Sequence, residues 1–273
     1  MPTIVNHEAT TTLLAEEFDA IASFGHSLQD SDWDASTCLP GWTVRDNLSH
    51  MIGTESMLLQ LPNPEIEIGQ PAHVRNPIGK ANELWVDSMR SWSGADMVAR
   101  FVDITAQRMT ALRAMSQADF DAPSWTPAGP DETHGRFMRI RHFDCFMHEH
   151  DMRDAVGAPG RPEPTHVASA LDEVSTGLGF IVGKRAQAPA GARVRLQLTG
   201  PAARELLVEV GERAAVVSEL SAAPTVTVQM PTMLFLRLTG GREAGGPHIG
   251  HDVTVEGDAE FGCRLVEQLA FTI

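Results

Sequence analysis

The hydrophobic repeat of this 273-residue chain changes once, at GAPGRPEPTH (157–166), and any fold must satisfy both sides of that change. Before it, apolar residues recur at helical spacing. Residues 8–29 carry Leu13, Leu14, Phe18, Ile21, Ala22 and Phe24. Residues 44–59 carry Val44, Leu48, Met51, Ile52, Leu58 and Leu59, with Glu55 in the same stripe. Residues 95–115 carry Met97, Val98, Phe101, Val102, Ile104, Met109 and Leu112. Thr43, with Asp46 three residues on, reads as an N-cap with a capping-box acid, and Pro62 and Pro64 end that helix. Further helices are expected over 78–92 and 135–156, the latter closed by Gly157. Loops are expected over 63–77 and 117–134, where Pro and Gly concentrate. After the change, a helix over 167–185 precedes ARVRLQLTG, RELLVEV, AAVVSEL and TVTVQM, which alternate apolar with polar as half-buried strands do. MLFLRL reads as helix, HDVTVEG as strand and EFGCRLVEQLAF as a closing helix. The fold class is therefore multi-domain α and α+β: a helical domain over 1–157, a linker over 158–166 and a smaller α+β domain over 167–273.

Charge narrows the function classes. The chain has 21 Lys and Arg against 36 Asp and Glu, a formal net charge of -15. With no basic run, nucleic acid and anionic membrane surfaces are not expected partners. Three cysteines, Cys38, Cys145 and Cys263, form no CxxC pair. That argues against a disulfide framework and a Cys-rich zinc site, and a reducing cytoplasm is expected. The N-terminal residues lack the basic and apolar regions of a signal peptide, and no apolar run reaches membrane-spanning length.

Chemistry concentrates in RHFDCFMHEHDMRD, residues 141–154. Asp144 and His148, four apart, share one helix face, with Arg141, Asp151 and Ala155 on the same stripe and Ile140, Phe143 and Met147 beside it. Charges bordered by core residues need a partner or a metal. A carboxylate and an imidazole can reach one divalent cation, and a third ligand would come from a facing helix, where His50 sits beside Asn47 and Thr54 on a second polar strip. Two plainer alternatives stay open: His50 as a hydrogen-bonded structural residue, and Asp144 with His148 as a surface pair. His142 and His150 are expected to be solvated or to support the site. The HxxH of His248 and His251 reads as coincidence, and Cys145 as a structural thiol.

CLPGWTVRDNLSHMIGTE (38–55) resembles the PGWTVRD-x-L-x-H signature of the mycothiol-dependent maleylpyruvate isomerase family, part of the DinB-like four-helix superfamily. FDCFMHEHDMRDAVGAPGRP (143–162) is similar to that family's D-x-W-V-H-E-x-D-I-R segment, with Phe146 where Trp is frequent. FLRLTGGR, VTVEGD and the terminal LAFTI resemble its sterol-carrier-like accessory domain, so the resemblance spans essentially the whole chain. It implies His50, Asp144 and His148 as ligands of a divalent metal, zinc by preference. Asp144 stands where the founding isomerase type has Glu, one methylene longer. It implies mycothiol, a low-molecular-weight thiol, as cosubstrate, a small-molecule electrophile as its partner, and thiol transfer or thiol-assisted isomerisation as the reaction. A free thiol with a pKa of about 8.5 is mostly protonated at neutral pH, whereas metal binding deprotonates it. Asn47, Glu149 and Asp151 are candidates to orient the imidazoles. Arg237 and Arg242 could meet substrate carboxylates, or be exposed solubilising residues. Two other readings of the same residues are a non-catalytic metal-containing binding or regulatory protein, and a metal-dependent hydrolase using bound water.

Overall fold

Side-chain oxygens start the long helices of the N-terminal half. Each accepts an N–H of the first turn that has no partner within the helix. Asn6 begins α1 (His7–Ser27), Thr43 begins α2 (Val44–Leu58), Asn76 begins α3 (Pro77–Met89) and Ser93 begins α4 (Gly94–Ala114). Ser116 begins the short α5 (Gln117–Asp121), and Thr133 begins α6 (His134–Ala155). The computed structural model describes residues 2–272. It divides into two compact units, Met1–Arg161 and Pro162–Ile273.

In the first unit α1 and α2 each pack against α4 and α6, and α3 lies on α2. Leu14, Phe18 and Ile21 from α1 meet Leu48, Met51 and Ile52 from α2 in one buried cluster. Met97, Phe101 and Ile104 from α4 and Met138 and Cys145 from α6 complete it. Each such side chain contributes roughly 1.5–3 kcal/mol when fully buried. Gly53 lets α3 approach α2, since a Cβ there would lie 2.5 Å from the Trp85 side chain.

A 3₁₀ turn, Asp30–Asp34, precedes α2 and buries Trp33. One expectation needs correction. Residues 117–134, expected as a loop, hold α5 and an antiparallel hairpin of β1 (Pro123–Thr126) and β2 (Gly129–Thr133). Strands of four and five residues containing Pro123, Gly129 and Pro130 have no room for an alternating pattern. Tertiary ties hold them instead: Thr3 N donates to Glu132 Oε2 at 3.0 Å, and Thr133 Oγ1 to Thr3 O at 2.6 Å.

The second unit opens with α7 (Pro164–Phe180), which begins inside the expected linker because Pro164 suits the first helical turn. A π-helical turn, Ile181–Arg185, extends it. Then come β3 (Arg193–Thr199), β4 (Arg204–Val210), β5 (Ala214–Val217), β6 (Val226–Pro231), α8 (Thr232–Thr239), β7 (Thr254–Gly257) and α9 (Ala259–Glu267). The sheet order is β5-β4-β3-β6-β7, antiparallel except for the parallel β3–β6 pair. Period-2 alternation buries Val194, Leu196 and Leu198 of β3 and Val226, Val228 and Met230 of β6. The chain is thus helical first and α+β second, as its repeat implies. No described helix is long and apolar enough to cross a membrane.

Candidate metal centre

Helices α2 and α6 pack together in the first unit, and their polar strips meet. His50 Nε2 lies 3.1 Å from Asp144 Oδ2, and His148 Nε2 lies 3.5 Å from Asp144 Oδ1. The imidazole centroids are 4.8 Å apart, and one donor atom from each of the three residues falls within 4.8 Å of the others. Both imidazoles are buried, and Asp144 is half-buried.

The surroundings of His148 determine its tautomer. Asn47 Nδ2 donates to Thr43 O at 2.8 Å and to Thr37 Oγ1 at 3.3 Å. Its Oδ1 is therefore the atom facing His148 Nδ1, at 2.7 Å, and Asp151 Oδ2 lies 3.3 Å from the same nitrogen. Two acceptors at Nδ1 favour a proton there, which leaves Nε2 as the ring atom facing the Asp144 carboxylate. In the neutral ring that nitrogen is an acceptor, and a cation between it and the carboxylate would satisfy both. His50 points the same way. Its Nδ1 is buried without a hydrogen-bond partner, so neither neutral tautomer satisfies both nitrogens. Burial lowers its pKa below 6.5 against the opposing pull of Asp144, favouring the neutral, ligating form. These residues fit a divalent cation.

A buried ionic brace stands behind Asp144. Arg141 contacts Asp144 Oδ2 through Nη1 and donates from Nε to Glu55 Oε1 at 3.0 Å. The other Glu55 oxygen takes Arg108 Nε at 2.9 Å. Burial opposes ionisation of Asp144, yet His50, Arg141 and His148 together hold its carboxyl well below the usual range. Two guanidiniums against Glu55 add one positive charge beside the donor set. The brace is absent from the sequence expectations, although Glu55 in an apolar stripe was its signal, since a buried carboxylate requires a cation.

The other candidates divide. Asn47 and Asp151 meet His148, and Cys38 Sγ donates to Asp151 Oδ1 at 3.3 Å. Glu149 is committed to Arg153 (2.9 Å) and Arg161 (3.2 Å) rather than to an imidazole. His142 and His150 are buried, not solvated. His150 Nδ1 donates to Phe146 O at 2.8 Å and Nε2 accepts from Arg161 N at 3.3 Å, so its role is to tie α6 to the segment after it. Cys145 is buried, and burial pushes its thiol well up. In the second unit Arg237 Nε pairs with Glu243 at 2.7 Å, Arg242 Nη1 donates to Gly240 O at 2.7 Å, and His248 bonds Glu243 and Asp252.

A helical bundle gathering two imidazoles and a carboxylate, followed in the chain by a five-stranded α+β unit, defines a two-domain class with a donor set of the kind that could hold a metal ion. Residues 14–153 match the family model of the mycothiol maleylpyruvate isomerase N-terminal domain, and residues 168–260 match that of the MDMPI C-terminal domain. The chain belongs to the mycothiol-dependent maleylpyruvate isomerase family. The crystal structure of the mycothiol-dependent maleylpyruvate isomerase has a similar fold, at 15% identity and a TM-score of 0.59, covering 94% of this chain and 96% of that one. A point mutant of that isomerase gives the same values. Comparison with curated proteins gives no sequence match.

Proposed function

We propose that this chain is a metal-dependent enzyme that uses mycothiol in thiol transfer to, or thiol-assisted isomerisation of, a small electrophile, with His50, Asp144 and His148 as metal ligands. The observation that carries this reading is the convergence of His148 Nε2 (3.5 Å) and His50 Nε2 (3.1 Å) on the Asp144 carboxylate, with one donor atom from each residue within 4.8 Å of the others. Two His and one carboxylate suit zinc with a coordination position left for a substrate. Bound there, the cation supplies the positive charge that favours a thiol's deprotonated form at neutral pH.

The chain's own residues prepare that charge. Asn47 and Asp151 keep the His148 proton on Nδ1 and fix the ring's orientation. Arg141, itself held by Glu55, anchors Asp144 and adds a positive charge close to the donor set. An anionic thiolate is favoured over neutral water where both charges act at short range in a poorly solvated site. The three free thiols accord with a reducing cytoplasm as the place of action.

Elemental analysis of protein purified without a chelating tag, followed by turnover assays, tests the reading. About one equivalent of zinc or another divalent metal in the wild type, its loss in His50→Ala, and turnover of maleylpyruvate or another electrophile only with mycothiol are expected. Metal-loaded protein that turns over electrophiles without thiol identifies a hydrolase instead. Metal and thiol binding with no turnover identifies a binding protein.

A further inference from the structure

We infer that Trp42 is a positioning residue of the metal centre and that Glu83 sets the plane of its indole. This rests on the metal reading above. The Trp42 ring centroid lies 5.2 Å from that of His50 and 5.9 Å from that of His148, tilted by 38° and 37°. One indole therefore borders both candidate imidazole ligands.

The indole is held from two sides. Its backbone sits in a tight turn at Gly41, whose φ is +80°. There Trp42 N donates to Leu39 O, and Trp42 O accepts from Thr37 N at 3.0 Å and Thr37 Oγ1 at 2.9 Å. The ring nitrogen donates to Glu83 Oε2 at 3.3 Å. Glu83 is buried on α3, and the same oxygen meets His73 Nε2 at 3.0 Å, while Oε1 takes Arg90 Nη2 at 2.7 Å. Arg90 also reaches Asp46, the capping acid of α2. The indole orientation is thereby fixed by α3 and by the start of the helix that carries His50.

This arrangement differs from that of a core tryptophan. Trp33 is 3% exposed within the apolar cluster, whereas Trp42 is half-buried against two imidazoles. An indole in this place restricts how either ring can turn and reduces its access to water. Imidazoles that ligate a dication gain positive character, and an aromatic ring within about 6 Å stabilises positive charge. Trp42 therefore favours the metal-loaded centre over the empty one, through the ligands rather than by touching the metal.

Cobalt(II) is the probe. Affinity is read by competition with a chromophoric chelator, geometry by the visible cobalt absorption, and folding by circular dichroism and Tm. Trp42→Leu is expected to weaken cobalt binding about tenfold, as losses around metal ligands do, and to change the visible spectrum. Trp42→Phe, which keeps an aromatic face, and Glu83→Gln, which replaces the charged acceptor of the indole N–H by a weaker neutral one, should change it in the same sense but less. Trp33→Phe should lower Tm and leave the cobalt spectrum alone. Wild-type affinity and spectrum in folded Trp42→Leu overturn this assignment alone. Wild-type protein that takes up no cobalt overturns it together with the metal reading.

Discussion

Asn47 reports the protonation of His148 because both amide hydrogens already have acceptors, Thr43 O and Thr37 Oγ1. Only its oxygen is left for the imidazole. Asn47→Ala should weaken metal binding by about 10–100-fold with helix content unchanged, read by chelator competition and circular dichroism. Retention of wild-type affinity would show that Asp151 alone orients the ring. Glu55 poses a harsher test. It is 1% exposed and is the shared anion of Arg108 and Arg141. Glu55→Gln leaves two buried guanidiniums facing a neutral amide, and removing one partner of a buried ion pair costs about 3–5 kcal/mol. Urea denaturation should show that loss as a lower midpoint. Metal affinity should fall as well, since Arg141 would lose the anchor that holds it beside Asp144. A stability loss below about 1 kcal/mol, within the range of ordinary surface substitutions and weak pairs, would mean that water replaces the carboxylate in the brace.

Helix α2 carries His50, Asn47 and Glu55, and its start is where that share of the site is most exposed to single changes. Thr43 accepts from Asp46 N while Asp46 bonds back to Thr43 N, and Asn47 and His50 lie within the next two turns. Thr43→Ala should cost about 1 kcal/mol of stability. It should also weaken metal binding, because fraying of the first turn displaces Asn47. A cap mutant with full metal affinity would show that the helix start is held by its neighbours. This cap and the i, i+4 pair on α6 were legible in the sequence because both are local: short spacing fixes which side chains share a face. The same holds for the change from helical to alternating periodicity, which anticipated both units. What local spacing could not supply was pairing across elements. Glu55 sat in a stripe of apolar residues, but that its partners would be Arg108 and Arg141 depends on how α2, α4 and α6 pack. His142 and His150, expected to be solvated or to support the site, are buried, and spacing along one helix does not show how deeply its neighbours cover them. The β1–β2 hairpin was missed because its stability comes from Thr3 and the turn, not from an apolar face.

Across the whole chain, the net charge of -15 means that pH acts on a molecule already rich in repelling carboxylates. Two groups, one in each unit, contribute to opposite limbs of its stability profile. Glu132 on β2 is opposed by burial, but the Thr3 N–H and Arg136 hold its pKa below the ordinary 4.5. Its contribution is present above that value and is lost as pH falls through the folded pKa. His248 in the second unit behaves in reverse. Hydrogen bonds to Asp252 and then to Glu243 raise its pKa above 6.5 against slight burial, because the imidazolium lies between two carboxylates. That contribution is complete below 6.5, the unfolded value, and is lost as pH climbs through the folded value. Thermal melts across the mildly acidic to mildly alkaline range should therefore show Tm declining on the alkaline side. His248→Gln should lower Tm most at the acidic end of that range and flatten the alkaline decline. Added salt should shrink the difference between the two proteins, since the charges are partly exposed and screening over about 10 Å weakens them. A His248→Gln profile parallel to the wild type at every pH would assign the alkaline decline to general carboxylate repulsion and leave the Glu243–His248–Asp252 triplet without a share in it.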